Sequence, residues 1–166
     1  MARHVYDPSA DGRCLVSLVS DHGPGALVRV TLRESAEEHI AAVGEYLEFS
    51  GTVLGLHDGR DGNPRFRVWC PMWRTLVALY PGQVSSVLVS ASRDRDQDDR
   101  LVAALAAVAG QATREWERVD HLTRRSHTTD DATRRAQAEA AFQSAQAELR
   151  EAIDESRQRR APSRKG

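Results

Sequence analysis

The residues best suited to chemistry in this chain are two arginines and an indole that alternate along one run, Arg65-Phe66-Arg67-Val68-Trp69-Cys70. Side chains of an extended strand alternate between faces, so Phe66, Val68 and Cys70 share one face and Arg65, Arg67 and Trp69 the other. The first set suits a core. The second puts two guanidiniums and an indole in a row, with Trp73 and Arg74 just past Pro71. Arg29 stands in the same way opposite Val28, Val30 and Leu32. Aromatic stacking with arginine contacts is how sheet faces hold single-stranded nucleic acid, at ~1–3 kcal/mol per stacked base. Arg-plus-Trp patches are equally typical of protein interfaces. Because Trp is highly buried on average, burial of Trp69 and Trp73, with the arginines paired to Glu45 or Glu48, would remove the site.

Other reactive groups are dispersed. The histidines stand at 4, 22, 39, 57, 121 and 127, with no i,i+4 pair to form a helical metal site. Cys14 and Cys70 lie in strand-like runs without metal spacing and read as buried free thiols. No P-loop, Gly-x-Ser-x-Gly or Rossmann glycine pattern is present. His57-Asp58 are adjacent and point apart at a strand end, so they form no dyad by themselves. Asp94, Asp96 and Asp98 have the spacing of a calcium loop, but Asp99 and Leu105 occupy its required Gly and Glu positions. The expectation is a non-enzymatic protein with no cofactor and no metal.

The elements that position these residues change character near residue 92. Five of the six prolines and most of the eleven glycines precede it. Cys14–Ser20 and Ala26–Arg33 read as strands flanking the five-residue loop Asp21–Gly25. Ser35-Ala36-Glu37-Glu38 is a capping box for a short helix near 35–43, which Gly44 can close. Strands are then predicted over Glu45–Leu56, Arg65–Cys70, Arg74–Tyr80 and Val84–Ser90, with Gly51 and Gly55 permitting a bulge or sharp coiling in the first. So many short strands would best hide their edges by curling into a small β-barrel or a strongly bent antiparallel sheet.

The pattern Gly51-Thr52-Val53, a glycine-rich loop, Phe66-Arg67-Val68 and Leu76-Val77-Ala78-Leu79 resembles the small barrels of the OB-fold or Sm/SH3-like type. That resemblance spans Tyr46–Val89 and implies a fold only; it transfers no functional residue.

Past the seam, Arg93–Asp99 is a charged linker that turns into a helix start. Leu101, Leu105, Val108, Ala112, Val119 and Leu122 follow steps of three and four, with Glu115 as a gap and Trp116 beside it. Thr128 offers an N-cap ahead of Asp130 and Asp131. Ala138, Phe142, Ala145, Leu149 and Ala152/Ile153 form a second seam. Two such helices, about 98–125 and 130–158, should fold as an antiparallel hairpin. The alanine-rich seam buries little, so Leu101, Leu105, Val108, Trp116, Val119, Leu122, Phe142, Leu149 and Ile153 are candidates for pairing two copies.

The organisation expected is α+β: an extension over 1–12, a β-barrel-like domain over 13–92, a helical hairpin over 93–159 and a basic disordered tail over 160–166. Net charge is −1, which gives no global case for nucleic acid. Local clusters could still touch phosphate: Arg124 and Arg125 beside Arg134 and Arg135, and Arg157, Arg159 and Arg160 toward the tail. Arg134 and Arg135 can equally pair with Asp130 and Asp131 one turn back. No apolar run reaches the ~18–20 residues of a membrane span, and no signal-peptide stretch opens the chain, so a cytoplasmic location is expected. The function expected is nucleic-acid binding through Arg29, Arg65, Arg67, Trp69, Trp73 and Arg74, with homodimerisation by the helices. A protein–protein adaptor without nucleic acid is the alternative.

Overall fold

The computed structural model describes residues 4–6, 13–33, 47–58, 62–91 and 96–161. The short helix expected near 35–43 and residues 162–166 of the tail lie outside them. The elements are β1 (His4–Tyr6), α1 (Arg13–His22), β2 (Leu27–Leu32), β3 (Glu48–Asp58), β4 (Pro64–Cys70), β5 (Thr75–Leu79), a 3-10 turn (Pro81–Gln83), β6 (Val84–Ala91), α2 (Gln97–Thr123) and α3 (Thr129–Arg160). The fold is α+β. Two compact units divide the chain, residues 1–104 and 105–166.

In the first unit an antiparallel sheet runs in the order β1-β6-β2-β3-β4-β5. Five strands are substantial, and β1 is a three-residue edge strand inside the segment expected to be an extension. Because β1 and β5 do not pair, the sheet is open. The barrel expected from the strand pattern is therefore corrected to an open sheet: β6 joins β2 and β1, and nothing closes the ring.

One element changes type. Cys14–Ser20, expected as a strand, lies in helix α1. The run Cys14-Leu15-Val16-Ser17-Leu18-Val19 fits both periods, but Leu15 and Leu18 share a helical face and are fully buried while Val16 is exposed. Packing decided against the β preference of valine.

The core forms on one face of the sheet, where period two sets the lining: Val28, Val30 and Leu32 on β2, Phe49 and Val53 on β3, Phe66, Val68 and Cys70 on β4, Val77 and Leu79 on β5. Leu15 and Leu18 join the same cluster. Two glycines allow this geometry. At Gly51 a Cβ would collide with the carbonyl oxygen of Trp69, so β3 and β4 approach here only because no side chain intervenes. Gly55 has φ +123° and sits where the β3–β4 register shifts, from Val53 opposite Val68 to Gly55 opposite Arg67.

Helix α2 starts in the first unit, where its first turn is tied to the α1–β2 loop. Gln97 Nε2 donates to the carbonyls of His22 (2.8 Å) and Pro24 (2.6 Å), and Arg100 Nε donates to that of Gly25 (3.0 Å).

In the second unit, side-chain contacts join α2 to α3 along their length. Arg135 donates to the hydroxyl and carbonyl oxygens of Thr123, the rings of Trp116 and Phe142 stack at 5.3 Å, and Gln146 Nε2 donates to Thr113 Oγ1 at 3.4 Å. Residue numbers fall along α2 as they rise along α3. On α3 the buried residues are Ala145, Ala152 and Ser156, all small.

Candidate ligand-binding face

The face of the sheet opposite the core carries Arg29, Trp69, Arg67 and Arg65, as period two requires. Its cross-strand rows follow from the register. Thr52, Trp69 and Leu76 form one row, Gly55, Arg67 and Ala78 the next, and His57 stands opposite Arg65. Tyr80, immediately after β5, completes the third row: Arg65 Nη2 donates to its hydroxyl at 2.5 Å, and the guanidinium carbon lies 4.8 Å from the ring centroid. The Tyr80 backbone is fixed in turn, its N–H donating to Gln83 Oε1 at 2.9 Å.

Three features of the expected Arg/Trp surface need correction. Trp69 is on the expected face but only 8% exposed, so its ring offers no open stacking platform. Trp73 is not on that face; its ring packs 5.3 Å from Phe49 and against the core cluster. The turn after Pro71 causes this. Arg74 N–H donates to the Pro71 carbonyl (3.3 Å) and Arg74 takes φ +50°, so strand alternation does not carry across residues 71–74. Arg74 is an exposed turn residue. Arg29, finally, is held 3.1 Å from Glu48, an ion pair between two largely exposed groups.

Sequence reasoning did not place Tyr80 or His57 on this face. Alternation along Leu76-Val77-Ala78-Leu79-Tyr80 was a usable signal for the first. His57 could not be placed, because the bulge at Gly55 resets which side of β3 faces which way.

The expected phosphate contacts lie mostly in ion pairs. Arg124 meets Asp120 at 2.7 Å, Arg157 meets Asp154 at 3.7 Å and Arg159 meets Glu155 at 2.7 Å, while Arg125 is exposed and Arg160 ends α3. Arg134 approaches Asp131 at 4.0 Å. Arg135 instead reaches Thr123, with Asp120 at 3.8 Å. The Arg124 hydrogen bond holds the Asp120 carboxyl below its ordinary range. At the start of α3, Thr128 caps the helix by accepting from the Asp131 N–H. The hydroxyls of Ser126 and Thr128 both donate to the Asp131 side chain and lower its pKa, with Arg134 and Arg135 adding a smaller field.

The residues expected to pair two copies divide by burial within one chain. Leu105 and Val119 are buried, Trp116 and Phe142 stack on each other, and Leu101, Val108, Leu149 and Ile153 are half-buried. Leu122 alone of this set is largely exposed, at 64%. Much of the seam is therefore spent inside the chain. Among the described residues no group of three or more His, Cys, Asp or Glu side chains could hold a metal ion, and no helix is long and apolar enough to cross a membrane. Neither known protein families, nor characterised proteins, nor solved structures yield a match to this chain.

Proposed function

We propose that this is a non-enzymatic protein–protein adaptor, in which α2 and α3 form an antiparallel hairpin that meets a second copy of the chain. The observation that carries the reading is the split along α2. Leu105 and Val119 are buried, whereas Leu122 is 64% exposed and lies two heptads beyond the half-buried Val108. Heptad-spaced positions that stay outside when the intrachain seam is filled are those a partner helix can use. Burial of Trp69 and the turning away of Trp73 favour this reading over base stacking, since the sheet then lacks the open aromatic faces that stacking needs.

Light scattering over a micromolar concentration series tests it. The expected result is a mass about twice 18.4 kDa that falls to the monomer value in Leu122→Glu. A mass near 18.4 kDa at every concentration would overturn self-association. Salt-dependent binding of single-stranded oligonucleotides at ~50 mM salt would return the function to nucleic acid.

A further inference from the structure

We propose that the open edge of β5 pairs with itself: β5 of a second copy of the chain adds to it as an antiparallel strand, about a two-fold axis at Val77. The first observation is that this edge is unguarded. β5 is terminal in the sheet order, so among the described residues no strand pairs with its far side. Proteins blunt such edges with charge, proline, a bulge or sheer brevity. The other terminal strand, β1, has only three residues. β5 is the run Thr75-Leu76-Val77-Ala78-Leu79, which holds neither charge nor proline. Its register with β4 is unshifted from Cys70 opposite Thr75 to Phe66 opposite Leu79, so no bulge twists it away.

The second observation is which backbone groups point outward. In an antiparallel strand the N–H and C=O of one residue point to the same side, and successive residues alternate. The Tyr80 N–H donates to Gln83 Oε1, so it is not spent on β4. Counting back in twos, Ala78 and Leu76 direct their backbone groups to the open edge, while Leu79 and Val77 bond to β4. Ala78 is exposed and Leu76 half-buried. The third observation selects the occupant. Turned about Val77, the edge is complementary to itself: Leu76 falls opposite the partner's Ala78, and Ala78 opposite the partner's Leu76. Outward groups then meet outward groups, and each of these pairs exchanges two hydrogen bonds. The two Val77 residues stand between them as the close, non-hydrogen-bonded pair. A register shifted by one residue would set outward groups against inward ones. No like charges oppose, because the next residues out, Arg74 and Tyr80, face each other. A strand pair this short covers far less than the ~1,200 Å² of a stable interface, so it forms near ~1 mM and not at micromolar concentration. This contact is separate from the helical one and does not rest on it.

The experiment is amide hydrogen exchange of the full chain, read by NMR at ~20 µM and at ~1 mM. The Val77 and Leu79 amides should be protected at both concentrations, and those of Leu76 and Ala78 should exchange freely at the lower one and slow at least ~10-fold at the higher. Ala78→Pro removes an outward N–H without touching a bond to β4, and it should leave the Leu76 amide fast at both concentrations. Ala78→Lys keeps the N–H and adds a charge to the edge; it should suppress the slowing in the same way, and it serves if the proline variant does not fold. Exchange at Leu76 and Ala78 that ignores concentration, or slowing that survives in both variants, would overturn the pairing. Full protection of the two amides at ~20 µM would also overturn it, by showing that the chain covers this edge itself. The slowing should persist in Leu122→Glu; its loss there would make it a by-product of the helical contact and overturn a separate one.

Discussion

Replacing Gly25 by alanine should unfold the first unit at markedly lower denaturant, and the structure shows why. Gly25 has φ +90°, is buried, donates its N–H to the Val53 carbonyl at 2.8 Å and accepts from Arg100 at 3.0 Å. Its backbone is thus pinned from both sides and cannot relax to φ below zero. An L-residue held there costs ~1–3 kcal/mol in backbone strain. A methyl group would also collide with the carbonyl oxygen of Gln97, adding ~1–3 kcal/mol of overpacking. Alanine restricts the unfolded chain more than glycine, which returns ~0.4–1 kcal/mol. The net is a loss of about 1–6 kcal/mol, centred near ~3 kcal/mol, or a fall of roughly 1–3 M in the urea midpoint for that central value at an m-value of ~1–3 kcal/mol/M. Tryptophan fluorescence in a Trp116→Phe background, where Trp69 and Trp73 report the sheet, measures it. Gly82→Ala is the control, because no atom lies within 4 Å of its added Cβ. Since the collision is with the Gln97 backbone, Gln97→Ala should not rescue Gly25→Ala and should itself cost about 1–3 kcal/mol through two lost hydrogen bonds. A Gly25→Ala midpoint equal to that of Gly82→Ala, or a rescue by Gln97→Ala, would refute the reasoning.

Phe66, fully buried at the centre of the core face, should cost ~3–5 kcal/mol when cut to alanine, read as a fall in the same urea midpoint without a change in slope. The Asp131 carboxyl has a folded pKa below its ordinary value, so its contribution to stability is full above the unfolded pKa of ~3.9 and is lost as pH falls through the lower folded one. Thermal melts of wild type and Asp131→Asn should therefore differ most above pH ~4 and converge in stronger acid; a constant difference down to pH ~2 would contradict that assignment.

The sheet was largely legible because period two is a local signal: Phe66, Val68 and Cys70 could be assigned to the core from six residues of sequence. What failed depended on information the sequence does not carry locally. Cys14–Ser20 satisfies both periods, and only its packing against the sheet selects the helix. Closure into a barrel depends on whether the two outer strands meet, and strand patterning is the same for an open sheet. The candidate face was legible for Arg65, Arg67 and Trp69 up to Cys70, then lost at the Pro71–Arg74 turn, which sent Trp73 to the other side. Alternation names a face without naming what covers it, so the burial of Trp69 could not be read. The cross-strand neighbours of Arg67 were hidden for a related reason: Gly55 comes to stand opposite it only through a bulged register.

The strand order has a consequence for synthesis. As the chain emerges from its N-terminus, β2, β3, β4 and β5 can zip together in sequence, each onto the strand just made. β6 then returns to the far edge, to pair with β2 and β1. Until residue 91 is out, β2 has a bare flank and β1 has no partner strand. The last sheet strand to be made is thus the one that joins the earliest parts of the chain, and a ribosome paused before it would hold a half-sheet with an adhesive margin.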